Sequence, residues 1–299
     1  MNDERINHYY PAGVIAWGFS KNKIKPLRRS KVNVINIPNL ITLLNGFESQ
    51  GKNLEDFINT NITFFLYEKT AEDIFTSRNL TEKNDNNIQE IEQSILKLLK
   101  NGWPEEKYKI ETKEQETKED RILLDFIKLS INRSVLFTDD FLQENIVSEL
   151  EGLEKFEWII LESEDDCAVI SDLNPILVFS LNNEVINFFK CDPSIKDKII
   201  YFVPILSNKW LVISNNKAVI NSFYENCQDK DFKTNILSFL FVQALMFSLQ
   251  YIVVGKNNWI IDLVINLISD SEFRKEFIKK RKYTYKVTKY FNTIHNLKK

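Results

Sequence analysis

Residues 236–254 form a nearly unbroken apolar run, and the reading of this run decides what the rest of the chain can fold into. A helix needs about 20 apolar residues to cross a bilayer, so the run is long enough to raise the question. Ser238, Gln243, Ser248 and Gln250 interrupt it. Hydrocarbon gives such amides and hydroxyls no partner, whereas a protein core can supply one. The expectation is therefore a long buried helix from Phe232 to Val254 rather than a membrane span. A helix of that kind must be enclosed by a large core. The composition can supply it: 43% of the 299 residues are hydrophobic, with 22 Phe but only 2 Met and 7 Gly. Such a core consists of rings and branched aliphatics, not flexible filler. The abundance of Asn and Lys reads as a coding bias.

The rest of the chain separates into zones. Val32 to Ile37 alternates as a strand. Glu68 to Asn101 reads as helical, with Ile88, Ile91, Ile95, Leu98 and Leu99 on one face and Gly102 as a stop. Helices are also expected over 121–131 and 141–153, after a mixed-charge run at 105–120. From Phe156 the pattern changes to strands, with turn residues between them at 164–166 and 174–175. Residues 198–203 and 209–214 look like a strand pair joined through Pro204, Ser207 and Asn208. After 232 the chain returns to helix. No strand–helix alternation is present, which argues against a doubly wound sheet. The expected class is α+β: mostly helical, with a small antiparallel sheet contributed by the middle of the chain. Residues 1–255 would form one domain, and 256–299 a basic helical extension packed on it.

Charge is unevenly placed. The net charge is -3, yet Lys21 to Lys31 holds six basic residues and no acid, and 273–299 holds ten basic residues against Glu276 alone. Such ends suit a polyanion, with Arg28, Arg29, Lys280 and Arg281 as nucleic-acid contacts. Cys167, Cys191 and Cys227 are widely spaced, which argues against a disulfide framework or a zinc site. The polar start carries no apolar signal segment. Together these point to a cytoplasmic protein with no membrane partner. With only His8 and His295 there is no multi-His metal site, and no cofactor is indicated.

Four places carry polar residues beside apolar sequence. His8 precedes Tyr9, Tyr10 and Pro11. Arg133 follows the expected helix 121–131, at the end of Phe126-Ile127-Lys128-Leu129-Ser130-Ile131-Asn132-Arg133. Asp172 lies in Ser171-Asp172-Leu173-Asn174-Pro175, a natural Asx-turn. Asn235 and Gln243 lie eight apart on one expected helix. With Pro204 and Ser207, these segments resemble, in the same order, a bacterial family of domains of unknown function. Its members open on His-Tyr-Val-Pro and carry a Ser-Asp-Asn-Pro turn, a Pro-Leu-Ser turn and a last helix bearing Asn and Gln. Here Tyr10 stands in place of the Val, and Leu173 is additional. The resemblance covers about residues 6–255 and implies a shared fold and a set of positions, with no reaction attached.

Polar groups beside apolar sequence are costly unless they pair, so His8, Arg133, Asp172 and Asn235 are expected to converge. Two functions are compatible with that convergence. One is an enzyme of the defence or toxin-effector kind, acting on nucleic acid or another phosphate-bearing substrate. In it His8 and Asp172 would be catalytic, and Arg133, Asn174, Asn235 and Gln243 would hold ligand or phosphate. The other is a non-catalytic protein-binding or regulatory module whose polar residues hold the fold.

Overall fold

The computed structural model describes residues 7–8, 15, 18–20, 29–47, 51, 53–74, 76–77, 97, 157–163, 168–172, 176–188, 190, 193–195, 198–248, 250–255 and 258–280. The helix expected over 68–101 is overturned at its start, where residues 66–70 and 76–77 are strands. Beyond Ser77 only Lys97 of it is described, and the helices expected over 121–131 and 141–153 lie outside these residues. In chain order the strands are β1 (Asn7–His8), β2 (Lys31–Asn36), β3 (Leu66–Thr70), β4 (Thr76–Ser77), β5 (Glu157–Glu162), β6 (Val169–Ser171), β7 (Leu177–Ser180), β8 (Ile199–Leu206), β9 (Lys209–Ser214) and β10 (Tyr251–Val254). The helices are α1 (Ile37–Asn45), α2 (Leu54–Thr60), α3 (Ile62–Phe65), α4 (Asn183–Phe188), α5 (Lys217–Asn226), α6 (Lys230–Phe247) and α7 (Asn258–Ser269), followed by α8 over residues 271–280.

Two four-stranded antiparallel sheets replace the single small sheet expected from the middle of the chain. The central sheet has the order β5-β9-β8-β7 and is drawn from 157–214, where strands were expected. The joining sheet has the order β3-β2-β10-β6 and gathers strands from both halves of the chain. Its existence was not expected for two reasons. Residues 66–70 fall within or beside a stretch read as helical, and β10 falls at the end of the apolar run. That run is not one helix to Val254. It stops at Phe247, where the cap Ser248 turns extended, and resumes as Tyr251-Ile252-Val253-Val254. The β-branched residues there favour a strand, and all four are buried between β2 and β6. Among the described residues no helix is long and apolar enough to cross a membrane.

Helix starts are set by short polar side chains that satisfy the free N–H groups of the first turn. Asn36 caps α1, Asn53 caps α2, Asn182 caps α4 and Asn216 caps α5. Asp229 caps α6 through the N–H groups of Asp231 and Phe232, at 2.8 and 3.0 Å. Those two bonds favour the charged form and hold the Asp229 carboxyl below its ordinary value. Asp270 caps α8, its Oδ1 accepting from the N–H groups of Glu272 and Phe273.

The core is a chain of rings. Phe188 meets Phe239 at 4.8 Å between centroids, and Phe239 meets Phe179 at 5.1 Å. Phe179 meets Phe202 at 5.8 Å, Phe202 meets Phe223 at 5.6 Å and Phe223 meets Phe232 at 5.7 Å. The line runs from exposed Phe188 of α4 through α6, the central sheet and α5 back to the start of α6, so α5 and α6 are fixed to that sheet by aromatic packing. α6 also packs on β6 and so lies against both sheets. At the far side, α7 packs on α2, and the Arg274 guanidinium of α8 lies 5.3 Å from the Phe47 ring centroid.

The turn between β8 and β9, Ser207-Asn208, is the second joint between the sheets. Ser163 N donates to the Asn208 carbonyl, Ala168 N donates to the Ser207 carbonyl, and Ser207 N donates to the Gly18 carbonyl. The end of β5, the start of β6 and the N-terminal segment are thereby tied to one hairpin. The backbones approach so closely that a Cβ on Gly18 would stand 3.0 Å from the Ile205 carbonyl oxygen and 3.4 Å from Leu206 Cα. Neither atom can rotate aside, so Gly18→Ala is expected to lower unfolding stability by about 1–3 kcal/mol, the usual range for overpacking. Urea denaturation checks this, and an unchanged midpoint would contradict it.

Candidate functional site

A polar cluster lies where β6, β2 and β10 meet the segment that follows α6. Strand β6 ends at Ser171, paired with Ile252 of β10. Continuing that register would place the Asp172 carbonyl opposite Tyr251. The backbone leaves the ladder there, and the Asp172 side chain takes over the acceptor role. Asp172 N donates to the Tyr251 carbonyl at 3.1 Å, and Asp172 Oδ2 accepts from Tyr251 N at 3.0 Å and Gln250 N at 2.6 Å. One carboxylate oxygen thus closes the last rung and satisfies a second N–H that the strand start would otherwise leave open.

On one face of the joining sheet, the register places Asn36, Tyr67, Lys69 and Tyr251 together, because Tyr251 pairs with Asn36 and Tyr67 with Val34. Asn36 Nδ2 donates to the Tyr67 hydroxyl at 2.9 Å while its Oδ1 caps α1. Gln250 Nε2 donates to the Tyr251 hydroxyl at 2.9 Å, and Lys69 Nζ lies 4.8 Å from the Tyr251 ring centroid. On the other face, Ser248 Oγ donates to the Ala244 carbonyl at 2.5 Å and lies 3.0 Å from Ser171 Oγ. Both serines are fully buried, so this pair fastens the end of α6 to β6.

Tyr251 is pushed up to about 12, first by burial, then by its hydrogen bond with the Tyr67 hydroxyl, and further by the negative charges of Asp172 and Asp73. At neutral pH the phenol keeps its proton and can donate a hydrogen bond, but it is no base. The consequence for stability has a definite sign. The unfolded chain loses this proton near the ordinary value of 10.0, whereas the folded chain keeps it to about 12. The contribution is present below the ordinary value and is lost as pH rises from there to the folded one. It amounts to at most about 2–3 kcal/mol. Tyr251→Phe is expected to be less stable than wild type at neutral pH and to lose less stability over that alkaline window. Denaturant midpoints measured on either side of the window check it, and parallel losses in the two proteins would contradict it.

The sequence-derived residues are distributed as follows. Asp172 is half-buried, and its Oδ2 is engaged in the rung just described. Asn235 is exposed on α6, twelve residues and therefore about 18 Å before the helix end at Phe247, whereas Asp172 binds beyond that end, at Gln250 and Tyr251. The two are not brought together. Gln243 is half-buried one turn from that end. The His8 backbone pairs with Thr76, and its side chain lies outside the described residues. Arg133, Asn174, Arg28 and Arg281 lie outside them as well. Arg29 is exposed, and Lys280 is exposed and 3.8 Å from Glu276 one turn earlier. Asn36, Tyr67, Lys69, Gln250 and Tyr251 were not expected as site residues. The readable signal was Asn36 two positions before Pro38, a helix-start pattern. Among the described residues no cluster of three or more His, Cys, Asp or Glu could hold a metal ion. No family model, no curated protein and no solved structure matches the chain.

Proposed function

We propose that this chain is a non-catalytic binding or regulatory module, and that the polar cluster around Asp172 is part of its frame. The observation that carries this reading is the double use of Asp172 Oδ2 by the N–H groups of Gln250 and Tyr251. A carboxylate that must remain on two backbone donors to keep a strand in place is poorly suited to move during a reaction. The rest of the cluster is consistent with a structural role. Tyr251 holds its proton, both serines are buried, and Asn36 is divided between a helix cap and a phenol.

The test is a comparison of Asp172→Ala with Asp172→Asn. Removing the acceptor leaves two strand N–H groups without their partner, so Asp172→Ala should lower stability by about 2–4 kcal/mol, the cost of losing charge-assisted bonds at a partly buried joint. Asp172→Asn keeps an oxygen at the same place and should recover about half of that. Thermal melts read the difference. If Asp172→Ala melts as the wild type does, the residue is not part of the frame, and a reactive role for it regains weight.

A further inference from the structure

We draw no further inference here: the strongest candidate, the partly exposed aromatic patch where Phe188 of α4 and Phe239 of α6 stack beside Phe179 of β7, is an apolar face for which nothing in the structure shows what covers it.

Discussion

Leu245→Asp is expected to abolish folding, with a loss of more than about 4 kcal/mol, because it places an unpaired carboxylate in the interior. Leu245 is 1% exposed on the last turns of α6, the helix that lies against both sheets. A carboxylate there has no route to water. The same substitution at Phe239 is a calibrating control. Phe239 is only half-buried and borders the exposed ring of Phe188, so an Asp can reach solvent. Its cost should be about 1–3 kcal/mol, mostly lost ring packing. Far-UV circular dichroism and urea titration of the two variants separate these outcomes. Equal effects would mean that α6 does not present its faces as described.

Phe202→Ala should cost about 3–5 kcal/mol, the range for deleting a fully buried ring whose surroundings cannot collapse. Phe202 is 0% exposed and is one of the two central rings of the aromatic chain, meeting Phe179 on the neighbouring strand and Phe223 on α5. Because its neighbours belong to different elements, no one of them can move to fill the space. Phe202→Leu keeps most of the volume and should cost less than half as much. Chemical denaturation checks both values, and a loss below about 1 kcal/mol for Phe202→Ala would place the ring outside the packed core.

The β8–β9 hairpin was legible because two strongly β-forming segments flank Ser207-Asn208, and the observed strands run to that turn. The burial of the apolar run before Ser248 was legible from its composition, and so was the absence of a spanning helix there. What local pattern could not supply was pairing. β10 is four residues appended to a helix, and it is recognisable as a strand only because β2 and β6 lie on either side of it. Helical periodicity in one stretch and a short apolar continuation look alike when no partner is in view. The same holds for the site. An Asx-turn was expected over Ser171–Pro175, and strand β6 does end at Ser171. However, the donors its carboxylate meets are 78 and 79 positions away. Asn235 misled for a related reason: an amide inside an apolar run suggests burial, yet it falls on the exposed side of α6. The abundance of Asn was also undervalued. Whatever its origin, Asn36, Asn53, Asn182 and Asn216 each start a helix, so the residue type that looked uninformative sets four element boundaries.

Asp172 is the acceptor that completes the last rung of the joining sheet, and residue-resolved amide hydrogen exchange tests that role most directly. The N–H groups of Gln250 and Tyr251 should be protected in the wild type. In Asp172→Ala their exchange should rise by about 10–100-fold beyond the change at central-sheet amides such as Leu211 and Val212, corresponding to about 1.4–2.8 kcal/mol of local opening. If the exchange of Gln250 and Tyr251 follows the central sheet in both proteins, the carboxylate does not hold the strand and the structural reading of the cluster is wrong.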